Sequence, residues 1–179
     1  MSSAQPLTDS TVTAEVFADI FREHPAGVAV VTADAGDGPV AMTVTSVSSV
    51  DVAPDPHVLG VGRSRARRRF VRRRPLSCIF DADDVEIAKL AATHGVDRFA
   101  DTSSWSRLPT GEPRYHGTRA WIRGKTVSSM DAGDATIIAV EALEVGAAEG
   151  KSADPLVYHA RTWHGLGDHS KLDPTGGRI

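Results

Sequence analysis

One cysteine in 179 residues, Cys78, excludes an internal disulfide and leaves no thiol cluster for zinc. Long apolar runs are missing as well: no stretch approaches the roughly 18 residues that a membrane-spanning helix needs. The first residues, MSSAQPLTDSTVTAE, lack the basic start and apolar core of a secretory leader. Together these absences predict a chain that works in a reducing, cytoplasmic setting without a membrane partner. A catalytic metal is not expected either. The seven histidines, among them His159, His164 and His169 at five-residue intervals, include no HExxH pair. A short strand and a loose tail would not bring those three together.

What is there suffices for one packed domain, with 41% hydrophobic and 24% charged residues. We place it at residues 11–166, between a flexible N-terminus (1–10) and a flexible tail (167–179). Net charge is only −3, from 20 basic and 23 acidic residues, yet the charges are unevenly placed. Eight arginines (Arg63, Arg65, Arg67, Arg68, Arg69, Arg72, Arg73 and Arg74) fall within twelve residues that contain no acid, so the rest of the chain is acidic.

Thr11 or Thr13 can cap a first helix over Ala14–Glu23, where Val16, Phe17, Ile20 and Phe21 form a helical stripe that stops before Pro25. Gly27–Thr32 reads as a buried strand, Asp34–Gly38 as a turn, and Val40–Val50 as one long second strand of a hairpin. His57–Gly62 and Leu76–Phe80 are further strands, and the arginine segment between them can open as a helix near Ser64. Asp81 or Asp83 can cap a helix running to His94, with Val85, Ile87, Ala88, Leu90 and Ala91 inward. Residues 100–118 read as a long functional loop. Arg119–Ser129 and Ala135–Gly146 are two long strands about an Asp131–Asp134 turn, and Leu156–His159 is the last strand. The sum is a mainly β, antiparallel barrel with flanking α-helices.

Three segments can carry chemistry. Thr43, Val44, Thr45 and Ser46 belong to a hydroxyl-rich run that can hold the polar edge of a ring or a phosphate, or can simply be a solvated edge strand. Gly62-Arg63-Ser64 follows a strand and opens a possible helix, where free amides and a guanidinium attract a phosphate, although the Gly-Lys-Ser/Thr of a Walker loop is missing. One phosphate uses two or three arginines, so most of Arg63–Arg74 is a solvated face or a nucleic-acid contact, and the acidic body opposes the latter. His159 and Trp163 can flank a planar ligand or be ordinary strand residues. Cys78 reads as a small interior hydrophobe.

In order, His24–Thr32, Ala41–Val50, Val61–Ser64, Asp97-Arg98-Phe99-Ala100, Asp131–Asp134 and Pro155–His159 resemble the flavin reductase-like family of FMN-binding split barrels over about residues 15–166. That resemblance implies a homodimer with flavin at its interface, and reduction of FMN or FAD by NADH or NADPH, with the product passing to a partner monooxygenase. It also implies that Thr43, Val44, Thr45 and Ser46 meet the flavin ring edge and ribityl chain. Arg63 and Ser64 would hold the phosphate, and His159 and Trp163 would lie near the ring, with His159 the candidate catalytic group. Two departures stand out. Ala135 follows Gly133-Asp134 where the family carries a histidine associated with nicotinamide, and Cys78 stands where the family has asparagine. A flavin-binding oxidoreductase without nicotinamide turnover is therefore the alternative, and anion or nucleic-acid binding through Arg63–Arg74 a third.

Overall fold

The computed structural model describes residues 12–51, 55–63, 75–79, 85–118, 120–147 and 154–173, with only the backbone considered at 61–63 and 75–79. Helix α1 is Ala14–Arg22, started by the Thr13 hydroxyl, which accepts from the Val16 amide at 3.3 Å. The strands are β1 (Ala26–Gly27), β2 (Ala29–Asp34), β3 (Pro39–Val44), β4 (Val47–Asp51), β5 (His57–Arg63) and β6 (Pro75–Ile79). Helix α2 (Val85–Ala92) follows, then β7 (Trp105–Arg107), β8 (Pro113–Tyr115), β9 (Ala120–Ala132), β10 (Ala135–Ala147), β11 (Leu156–His159) and β12 (Thr162–Gly165). Every described ladder is antiparallel.

Seven strands form one sheet in the order β3-β2-β6-β9-β10-β5-β4. Its two edge strands, β3 and β4, are separated in sequence by Thr45 and Ser46 alone. Three residue steps reach at most about 11 Å, whereas the outer strands of a flat seven-stranded sheet lie roughly 29 Å apart at ordinary strand spacing. The sheet must therefore curl until its edges meet, and β3 and β5 do come into contact across the join. Among the described residues no ladder joins β3 to β4, so the sheet is not closed by strand pairing. The result is an antiparallel split barrel, with register shifts in the β9–β10 and β4–β5 ladders that sharpen the local twist.

Alternation along β2 fills both faces. Ala33 packs inside the curl with Val140, joined by Val31, Val40, Met42 and Ile138. Val30, on the other face, joins Val28, Ala41, Phe99, Tyr115, Leu156 and the α2 residues Ala88 and Ala91. The turn from β2 to β3 is held by the Asp34 carboxylate, which accepts from the amides of Gly36 (2.7 Å) and Gly38 (3.3 Å), both at positive φ.

Several expectations need correction. Val40–Val50 is not one strand: it breaks at Thr45-Ser46, where the chain crosses the seam. Residues 100–118 are not a loop. They hold the β7–β8 hairpin, with Glu112, Pro113, Tyr115 and Thr118 buried. Strand β12 adds to the expected set and pairs with β11, and a 3-10 turn at Asp168–Ser170 follows it. Helix α2 stops at Ala92 rather than His94. The expected helix near Ser64, the Asp81 or Asp83 cap and Phe80 lie outside the described residues, as do the proposed flexible segment 1–10 and residues 174–179 of the tail.

Candidate functional site at the barrel seam

The seam gathers the hydroxyl-rich segment and Gly62-Arg63 at one end of the barrel. In the β4–β5 ladder, Val47 lies opposite Gly60 and Ser48 opposite Leu59. The chain before Val47 therefore runs toward the Val61–Arg63 end of β5. That same end pairs with the start of β10, Arg63 opposite Ala135 and Gly62 opposite Thr136. The β3–β4 crossing (Thr45, Ser46), the end of β5 (Arg63) and the start of β10 (Ala135) thus come to one end of the sheet, although they lie far apart in sequence. The closeness of Ala135 to Arg63 is not visible in the sequence, since only the register of two long strands creates it.

The individual side chains differ in what they can offer. Thr43 is half-buried and donates its hydroxyl to the Ala88 carbonyl of α2 at 2.6 Å. It retains lone pairs, but its donor is committed to holding α2 on the sheet. Val44 is buried and serves the core. Thr45 and Ser46 are exposed. No carboxylate occurs from Thr43 to Ser49, so an anion meets no repulsion from this segment. A Cβ added at Gly60, one residue deeper along β5, meets nothing within 4 Å, so this part of the sheet is uncrowded. Arg63 ends β5, and Ser64 lies outside the described residues.

His159 and Trp163 sit on a separate sheet of order β1-β11-β12. Trp163 lies opposite Tyr158, edge to face at 4.8 Å, and both rings pack on the outer core. His159 faces the end of α1, its Nε2 3.6 Å from Glu23 Oε2. The β11–β12 pairing also brings the His164 ring to 5.8 Å from His159, against the expectation that these histidines stay apart. Among the described residues no group of three or more His, Cys, Asp or Glu is placed to hold a metal. Cys78 lies in β6, an interior strand of the seven-stranded sheet, paired between Val31 and Ile122.

The β7–β8 hairpin clamps the outer face beside α2. Tyr115, fully buried, stacks on Phe99 at 5.3 Å and donates its hydroxyl to the Arg98 carbonyl at 2.8 Å. Burial pushes its ionisation up to about 12, against the opposing pull of Arg98. Buried Glu112 faces Arg123 of β9 at 3.8 Å, and Arg123 also meets Glu144 at 3.0 Å. At the mouth of the β2–β3 turn, burial raises the Asp34 pKa. Hydrogen bonds from Gly36, Arg107 and Gly38 and the Arg107 charge outweigh it, so the carboxyl lies below its usual range. These groups fix the wall of the domain rather than line the seam.

Residues 21–167 match the family described as Flavin reductase like domain. An NADH:FMN oxidoreductase of Rhodococcus qingshengii is 34% identical over 161 residues, covering 88% of this chain and 84% of that protein. Among solved structures, the flavin reductase HpaC complexed with NADP+ superposes with a TM-score of 0.78 at 27% identity, over 86% of this chain and 98% of that one. BorF, the flavin reductase component of a bacterial two-component tryptophan halogenase, gives 0.74 at 30% identity over 86% and 98%. The curled sheet with its open seam, the ordered motifs and these matches agree: the chain belongs to the flavin reductase-like domain family.

Proposed function

We propose that this protein is an NADH-dependent FMN reductase. The observation that carries this reading is the 34% identity to an NADH:FMN oxidoreductase across most of both chains. The seam supports it through its donor set: exposed hydroxyls of Thr45 and Ser46, an acid-free run, and Arg63 at the same end of the sheet. Those groups suit the polar ring edge, ribityl chain and phosphate of a flavin.

When bound, flavin and nicotinamide supply the two-electron chemistry themselves. The chain's task is to bind, orient and exclude water. Thr45 and Ser46 hold the polar edge, Arg63 and Ser64 hold the phosphate, and Thr43 keeps α2 seated beside them. Trp163 and His159 flank the ring from the second sheet. HpaC is complexed with NADP+, so NADPH belongs in the same assay as NADH, and FAD is tested beside FMN. A role as the reductase component of a two-component system follows the pattern of BorF. A second copy of the chain is part of this proposal. Val16, Phe17, Ile20 and Phe21 of α1 are all exposed, and no residue of that helix is buried. Met130 and Val145 on the outer hairpin are exposed too. Such apolar surface suits a homodimer.

The test is NADH consumption by the purified protein with added FMN, where turnover no faster than the protein-free mixture overturns the reading. Ala135 favours one second reading, a flavin-binding protein that has left nicotinamide chemistry. Its methyl group brings no polar atom to the position beside Arg63. In that case the wild type stays inactive while Ala135→His gains NADH-dependent turnover.

A further inference from the structure

The β11–β12 hairpin turns through two residues, Ala160 and Arg161, between the paired His159 and Thr162. Both have positive φ, 47° and 61°, and they are the only non-glycine residues in that region among those described. A two-residue hairpin of this kind normally uses glycine or asparagine, because a Cβ is crowded there. Six glycines among the described residues meet the same requirement elsewhere, so its absence here is a local exception. Backbone strain that survives in a fold points to what the strained residue does there.

The apex is held firmly. The Ala160 amide donates to the Arg22 carbonyl at the end of α1 (3.0 Å), and the Tyr158–Trp163 pair anchors the hairpin to the core. Arg161 itself is exposed, and among the described residues it forms no ion pair. Beside it the imidazoles of His159 and His164 lie 5.8 Å apart, ring centre to ring centre. The exposed carboxylate of Glu23 also lies at this corner, 3.6 Å from His159 Nε2. Arg161 stands at the apex of the same hairpin, two residues from His159, and guanidinium and imidazole N–H groups are the donors that recognise a phosphate oxygen.

We propose that the Arg161 apex, with His159 and His164, recognises a phosphate-ester group of a substrate, displacing Glu23 from His159. It rests on the reductase reading only for the identity of that substrate. The group is then the diphosphate of a nicotinamide dinucleotide, because that reading already gives the FMN phosphate to Arg63 and Ser64.

Arg161→Gly separates strain from recognition, because glycine relieves the turn while removing the charge. We expect the variant to melt about 2–4 °C higher and to keep its kcat, while KM for NADH rises at least about fivefold, as loss of one charge-assisted contact implies. Arg161→Lys should keep KM within about twofold, since it retains a charge. Pairing NADH with reduced nicotinamide mononucleotide, and FMN with riboflavin, checks that the dinucleotide carries the group. Titration with inorganic pyrophosphate, followed by the NMR signals of the His159 and His164 rings, needs no turnover. It therefore remains informative if the reductase reading fails. Saturable shifts in the wild type that vanish in Arg161→Gly support the proposal. Absence of shifts in the wild type, equal shifts in the glycine variant, or an unchanged KM for NADH would overturn it.

Discussion

At Gly124 one methyl group decides whether the barrel interior fits. A Cβ there would lie 2.3 Å from Val140 Cγ1 and 3.0 Å from the Glu141 carbonyl oxygen. The valine is buried and the carbonyl is backbone, so neither can move cheaply. Gly124→Ala should lower stability by about 1–3 kcal/mol, read as a shift of the urea midpoint. Tyr115 makes a prediction in pH. Its phenol keeps its proton up to about 12 in the folded protein, against an ordinary value of 10.0. Between those values the unfolded chain releases a proton that the folded one retains, so stability present below pH 10 declines toward pH 12. Tyr115→Phe should flatten that alkaline decline while losing about 1 kcal/mol at neutral pH with the bond to Arg98. Urea midpoints of both proteins across this range check the sign. Thr45, Ser46 and Arg63 stand out in sequence as candidates, because a hydroxyl-rich run and an arginine after a strand suit a phosphate and a polar ring edge. The pairing of Arg63 with Ala135, and of His159 with Glu23 and His164, was not legible there, since these contacts come from strand register and hairpin geometry.

Among the elements, the β3–β4 crossing carries most of the candidate site. Its residues read as a continuous strand because nothing in Thr43–Ser49 breaks β periodicity, neither glycine nor proline. The break is imposed by tertiary structure, as the chain leaves one edge of the sheet for the other. The β7–β8 hairpin escaped for a different reason: two three-residue strands are too short to show alternation. Trp105 and Tyr115, apart in sequence but paired in the hairpin, are the signal that could have found it. Helices α1 and α2 and the long β9–β10 hairpin were legible, since each repeats its pattern over eight or more residues. Roles at the crossing can be separated. Thr43→Val removes the bond to Ala88 and should cost about 1 kcal/mol of stability. Thr45→Val, at an exposed position, should change stability by less than about 0.5 kcal/mol yet weaken FMN binding. Parallel urea and flavin-fluorescence titrations measure the two effects.

On the scale of the whole molecule, curling brings a broken edge strand, the end of β5 and the start of β10 to one rim, and so a site is made without any single strong motif. The same curl leaves α1 outside, tied at its end by Arg22 and Glu23 while its apolar stripe faces outward. A double variant, Phe17→Ser with Ile20→Lys, should shift the protein from dimer to monomer in light scattering, with little change in far-UV circular dichroism. A monomeric wild type would overturn the dimer. The central claim, flavin reduction by nicotinamide at the seam, is tested most directly by steady-state NADH oxidation with FMN, comparing wild type with Thr45→Val and Ser46→Ala. The account predicts saturable, FMN-dependent turnover in the wild type and a raised KM for FMN in both variants. NADH oxidation no faster than in the absence of protein, or variants with an unaltered KM for FMN, would contradict it.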